Sequence, residues 1–230
     1  MTFAEVRRGL TALSSLYVER RSRIGRGAAL DGRGKRAAFA LFYGPVHFVI
    51  VRRIVAELGL DRQPAPATIV DLGCGTGASG AAWAVQCNPR PTIEGVDLHP
   101  WALEEATRTW SDLGLSGRAR RGTIDRVRFP AGRIGVIAGW SLNELDANAR
   151  DRVLAHVLAG CTDGLRALVV EPVARGPAPW WDAWAERFTA AGGRADTWRF
   201  EDELPAPVRD LDRAAGLDHA RLTARSLSLR

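Results

Sequence analysis

The chain has 230 residues, 46% hydrophobic and 25% charged, which is the balance of a globule large enough for one large α/β domain and a modest extension. No stretch of about 20 residues is apolar without a charge or a glycine, which argues against a membrane span. The formal net charge of +6 lies wholly in residues 1–36, where nine Lys+Arg face three acids. That cluster suits either RNA phosphates or a solvated, arginine-rich face. Glu5, Arg7 and Arg8 at the N-terminus argue against a secretion signal. The cysteines Cys74, Cys87 and Cys161 are odd in number and lack metal-type spacing, so a reducing, cytoplasmic setting is expected.

Taken in order, residues 3–23 place Val6, Leu10, Leu13, Leu16 and Tyr17 at three-to-four spacing, predicting an amphipathic helix. Gly25, Gly27, Gly32 and Gly34 then predict a loop. From Arg36 to Leu58 the chain is mainly apolar, and Gly44-Pro45 predicts a split into two helices with Pro45 in the first turn of the second. Pro64-Ala-Pro66 reads as a stiff linker. It divides a helical extension or lid, residues 1–63, from a core, residues 64–230.

The β-branched run Thr68-Ile-Val70 predicts a buried strand ending at Asp71. Gly73, Gly75 and Gly77 follow, then a helix over 78–87 stopped by Pro89 and Pro91. Further strands are expected at 92–97, 118–129, 134–140 and 165–171. Helices are expected at 100–113, from an Asp146 or Asn148 cap to about 159, and at 179–191. Two last strands, 194–200 and 219–229, with little helix between them, suit a reversed hairpin. Alternating strands and helices imply a doubly wound, mostly parallel sheet of seven strands, covered on both faces.

Gly75-Thr-Gly-Ala-Ser-Gly80 satisfies the dinucleotide pattern G-x-G-x-x-G, but Asp71 would repel a pyrophosphate at the strand end. The octad Val70-Asp-Leu-Gly-Cys-Gly-Thr-Gly77 closely resembles motif I of the class I S-adenosylmethionine-dependent methyltransferases. The resemblance covers about residues 65–230 and implies a Rossmann-like α/β fold. It also implies S-adenosylmethionine as cofactor and S-adenosylhomocysteine as product. By that resemblance Gly73, Cys74, Gly75 and Gly77 lie beneath the methionine part. Asp71 orients the loop and the ammonium, directly or through water.

Asp97 ends the second strand 26 residues after Asp71. It is either the family's ribose-binding acid or a cap on the next helix, and Leu98 beside it would contact adenine. Ile124 and Asp125 are the candidates for the adenine edge after the third strand. Trp140 joins the cofactor-side candidates at the end of the fourth strand.

The stretch Gly139-Trp-Ser-Leu-Asn-Glu-Leu145 lacks the Asn/Asp-Pro-Pro-aromatic tetrad of many amino-directed methyltransferases. Its Leu-Asn-Glu-Leu is similar to that of the small-ribosomal-subunit assembly methyltransferase-like family, as are Leu16–Arg20 and Val170-Glu-Pro172. The cysteine cluster that many members of that family carry after the fifth strand is missing. Glu144 either orients or deprotonates an acceptor or bonds local backbone. Tyr43 and His47 either line the pocket from the preceding helix or, for His47, fill the core. Trp184 reads as core, and the Cys74 thiol as a packing group.

The function implied is methyl transfer to a small-molecule or peptide acceptor. The alternatives are an RNA (ribosomal) methyltransferase, or a ribosome-assembly factor that keeps the fold without turnover.

Overall fold

The computed structural model describes residues 1–19, 30–162, 164–174, 176, 178–201 and 204–230. The expected helix over 3–23 is present as α1, Phe3–Glu19. Its last four expected residues, with Arg20, Arg21, Arg23 and Arg26 and the glycines at 25 and 27, lie outside the described residues.

Pro45 lies in the first turn of a second helix, as expected, but the expected break before it is absent and the helical run is continuous. α2 (Arg33–Ala38) passes into a π-helical turn, Phe39–Tyr43, and on into α3 (Gly44–Leu58). The physical reason is local. Pro45 has no N–H and its ring crowds the carbonyl four residues back. The wider π turn relieves this, with the Gly44 N–H bonded to the Phe39 carbonyl five residues back. α3 stops at Gly59, whose φ of 60° is left-handed. The run Arg33–Leu58 is long and apolar enough to cross a bilayer by length and composition alone, a feature missed on the sequence. Here it is a core helix: Phe42, Val46, Ile50, Ile54 and Leu58 are buried, and α3 contacts α4 and β7.

Seven strands form one sheet: β1 (Thr68–Leu72), β2 (Thr92–Asp97), β3 (Gly117–Arg121), β4 (Ile134–Gly139), β5 (Arg166–Glu171), β6 (Arg194–Phe200) and β7 (Leu222–Leu229). Their spatial order is β3-β2-β1-β4-β5-β7-β6, with β7 alone antiparallel to its neighbours. Between them run α4 (Ala78–Ala84), α5 (Pro100–Asp112), α6 (Ala147–Thr162), α7 (Trp181–Ala190) and α8 (Ala206–Ala214). α8 corrects the expected hairpin: β6 and β7 do pair antiparallel, but a helix intervenes. It buries Val208 and Leu211, and its short apolar stripe is diluted by four charges. β3 is also shorter than expected, because Ile124–Arg126 is a tight 3₁₀ turn.

Strand side chains alternate between two cores. Ile69, Ile93, Ile137, Leu168 and Val170 face a cluster that includes Val6, Leu10 and Leu13 of α1, Phe42 and α3. Val70, Leu72, Val136, Ala138 and Val169 face a second one, with Val153 and Val157 of α6 and Trp184 and Phe188 of α7. A sheet buried on both faces needs such apolar runs. It leaves the carboxyl ends of the strands, where the order reverses between β1 and β4, as the place for a ligand.

Candidate active site

The turn after β1 is built by three left-handed glycines: Gly73 (φ 72°), Gly75 (φ 51°) and Gly77 (φ 77°). Two are fixed by neighbours rather than by a ligand. A Cβ on Gly73 would lie 2.5 Å from Ser141 Cβ, and one on Gly77 would lie 2.6 Å from Trp110 Nε1. The turn is fastened from below, where the Gly73 and Cys74 N–H groups donate to the Val96 carbonyl at 2.8 and 3.1 Å.

Asp97 ties the turn to β2. Its Oδ2 accepts from the Gly75 N–H at 3.0 Å and its Oδ1 from the His99 N–H at 2.9 Å. The cap on α5 is His99, whose Nδ1 accepts from the Trp101 N–H at 3.2 Å. Each carboxylate oxygen of Asp97 keeps a second lone pair for a ligand hydroxyl.

A cavity of about 650 Å³ lies over this turn, a size usual for ligand sites. Among the residues singled out on the sequence, it brings together Tyr43, His47, Gly73, Cys74, Gly75, Asp97, Leu98, Ile124, Asp125, Trp140 and Glu144. Asp71 and Gly77 are not among its lining residues. Gly77 turns its α-carbon toward α5, with Trp110 Nε1 donating to its carbonyl at 2.9 Å.

Asp71 is fully buried. Its Oδ2 accepts from the Gly80 N–H at 2.8 Å, holding the first turn of α4, and its Oδ1 has no hydrogen-bond partner. Burial is the main reason its pKa rises to about 7, with the neighbouring Asp97 charge adding to it and the Gly80 N–H opposing it. Burial likewise pushes the Cys74 thiol well above its ordinary range, so Cys74 is a packing group and no nucleophile.

At the far end, Asp125 Oδ2 accepts from Arg152 Nε at 3.1 Å and Nη2 at 2.7 Å. This hydrogen-bonded ion pair holds the Asp125 carboxyl below its usual range.

The opposite wall is aromatic. Trp140 follows β4 with φ 55°, a left-handed value rare for a bulky residue. Its ring stacks on His47, with centroids 3.7 Å apart and planes 5° from parallel. Phe39 and Tyr43 come from the π turn beside them. His47 is therefore a cavity residue rather than a core histidine.

The stretch Leu142-Asn-Glu144 forms a 3₁₀ turn that sends its two polar side chains to different places. Asn143 Nδ2 donates to the buried Glu171 Oε2 at 2.5 Å, and its Oδ1 accepts from Trp180 Nε1 at 3.0 Å. Glu144 lines the cavity. Trp184 is core, 2% exposed.

Phe39, Thr76, Ser79, Arg152, Val173 and His219 also line the cavity and were not found on the sequence. Thr76 and Ser79 carried a usable signal, being inside the glycine motif. Phe39, Val173 and His219 carried none, since each reaches the cavity only through the tertiary fold. Among the described residues, no group of three or more His, Cys, Asp and Glu is placed to hold a metal ion.

The donor set fits a zwitterionic nucleoside. It offers a glycine floor, a strand-end carboxylate with spare lone pairs for sugar hydroxyls, and an apolar shelf from Leu98 and Ile124.

Comparison with known proteins agrees. Residues 69–164 match a family described as a methyltransferase domain. A search of curated proteins finds no match. Solved structures share the fold at low identity. The plantazolicin methyltransferase BpumL in complex with S-adenosylhomocysteine is 11% identical, covering 99% of this chain and 98% of its own, with a TM-score of 0.53. The mitomycin 7-O-methyltransferase MmcR is 16% identical, with 95% and 60% covered and a TM-score of 0.54. A Nostoc punctiforme protein assigned to the O-methyltransferases is 14% identical, with 98% and 69% covered and a TM-score of 0.55. Motif, strand order and domain match agree: residues 69–164 are similar to a methyltransferase domain, and the whole chain has the Rossmann-like fold of class I methyltransferases.

Proposed function

We propose that this protein transfers a methyl group from S-adenosylmethionine to a small-molecule or peptide acceptor. One observation carries the reading: the glycine turn and Asp97 share a single cavity with the aromatic wall Phe39, Tyr43, His47 and Trp140. Gly73, Cys74 and Gly75 would hold the methionine part, Asp97 the ribose, and Leu98, Ile124 and Asp125 the adenine. When bound, the cofactor supplies an electrophilic methyl group on a sulfonium. The protein's own task is then alignment and exclusion of water, which in favourable cases lowers a barrier by about 7–11 kcal/mol.

The helical run 33–58 is the roof that excludes water, and residues 1–63 act as a lid on the core of residues 64–230. Tyr43, His47 and Glu144 are the acceptor-side groups, with Glu144 orienting the acceptor. An aromatic wall suits a planar acceptor group of modest size. All three cysteines are free thiols, which supports a reducing, cytoplasmic setting.

The RNA reading rests on the basic segment of residues 1–36 and on the Leu-Asn-Glu-Leu resemblance; Arg120, Arg121, Arg126 and Arg128 are also exposed near the β3 edge. One experiment separates the two. The purified protein is incubated with methyl-labelled cofactor and a cell extract fractionated into RNA, peptide and metabolite pools. Label in the metabolite or peptide pool supports the proposal. Label in RNA alone overturns it in favour of the RNA reading. Tight cofactor binding with no label in any pool points to a non-catalytic assembly factor.

A further inference from the structure

His219 lies on the loop between α8 and β7, at the end of the chain farthest in sequence from the glycine turn, yet it lines the same cavity. It is held by one partner at two points. Its ring Nδ1 is 2.5 Å from Asp212 Oδ1, and its backbone N–H donates to Asp212 Oδ2 at 2.9 Å. Asp212 belongs to α8 and is buried, 7% exposed, an unusual place for a carboxylate without a ligand or a task. Phe42 packs edge-on against the imidazole, with centroids 5.3 Å apart.

A carboxylate only accepts hydrogen bonds, so Nδ1 carries the proton and Nε2 is left as the basic nitrogen. The ring is thus fixed in tautomer and orientation by a buried acid, the arrangement by which a base is prepared for proton abstraction. Other titratable groups near it are few. Asp218, the preceding residue, bonds the Ala220 N–H, and Tyr43 and His47 line the cavity from the helical roof.

We propose that His219 is the general base of the site, positioned by Asp212, and that the acceptor is an aryl hydroxyl. This inference rests on the methyl-transfer reading of the cavity. The acceptor O–H bond breaks, its proton moves to Nε2, and its electron pair stays on oxygen. That oxygen then forms the bond to the methyl carbon as the carbon–sulfur pair returns to sulfur. The resulting imidazolium is neutralised by Asp212 and gives its proton to water. An aryl hydroxyl fits because it loses its proton far more readily than an aliphatic alcohol and because its ring matches the aromatic wall.

The test uses the full chain saturated with S-adenosylhomocysteine and para-nitrophenol as probe, read by the absorbance of the phenolate. At a pH about one unit below the phenol's own pKa, the wild type should hold the bound probe mainly as phenolate. His219→Gln should lower that ionised fraction by about tenfold, and Asp212→Asn should lower it partly, with S-adenosylhomocysteine affinity retained in both. Long-range proton–nitrogen NMR of the wild type should show His219 protonated on Nδ1. A proton on Nε2, an unchanged phenolate fraction in His219→Gln, or failure of the wild type to bind the phenol each overturns the proposal. If the wild type fails to bind S-adenosylhomocysteine, it is the underlying cofactor reading that falls.

Discussion

The two ends of the cavity are built in different ways. The proposed cofactor end comes from short, contiguous stretches, residues 71–80 and 97–99, fastened by backbone bonds to Val96 and by the side chains of Asp71, Asp97 and Trp110. The proposed acceptor end is gathered from Phe39 to His47, Trp140 to Glu144, Val173 and His219, which approach one another only through packing. A site for a common cofactor can thus be written as a local motif. A site for a particular acceptor is written in the tertiary structure, which brings the helical roof over the glycine turn.

The comparison breaks most easily at the turn. Gly77→Val puts a β-branched side chain at φ 77°, with a Cβ 2.6 Å from Trp110 Nε1 and 2.9 Å from Ala106 Cα. Backbone strain and overpacking together should cost about 3 kcal/mol or more, seen as a lower urea midpoint. An unchanged midpoint would mean that the turn is not rigid.

Next comes a pH effect. Asp71 has a folded pKa of about 7, raised by burial above its unfolded value near 4. A raised pKa means that the neutral form is favoured by folding. Its contribution is therefore complete below about pH 4 and is lost as pH rises through about 7. The wild type should lose about 2–4 kcal/mol of unfolding free energy on this account between acid and mildly alkaline solution. Asp71→Asn, which cannot ionise, should lack that slope. Parallel pH profiles for the two proteins would contradict the assignment.

A smaller effect sharpens the contrast between the two ends. His47→Ala should cost only about 1 kcal/mol of stability through the lost stack on Trp140, while leaving cofactor affinity close to that of the wild type. A large loss of affinity would show that the roof serves the cofactor as well.

The same division explains what could be read before the structure was known. Motif I, Asp97 at the end of β2 and the seven alternating strands follow from local chemistry, so Gly73, Gly75, Asp97, Leu98 and Ile124 were identified and do line the cavity. Asp71 was expected to orient the loop and the ammonium, directly or through water; it bonds the Gly80 N–H behind the turn and does not line the cavity. Nothing in the linear order distinguishes a strand-end acid that faces a ligand from one that faces a helix. The continuous helix through Gly44-Pro45 was missed because a π turn is a packing solution with no composition of its own. His219 was missed because its partner, Asp212, lies on α8, a nine-residue helix within the stretch read as a short link between the last two strands.

The central claim is that the turn after β1 and the carboxylate of Asp97 hold a sulfonium nucleoside. Titration calorimetry of the wild type and of Asp97→Ala with S-adenosylmethionine tests it directly. Saturable binding by the wild type, weakened by about 2–3 kcal/mol in the variant, is the result predicted for lost hydrogen bonds to a charged group. Equal affinity in the two proteins, or binding of a nicotinamide dinucleotide in place of S-adenosylmethionine, would contradict it.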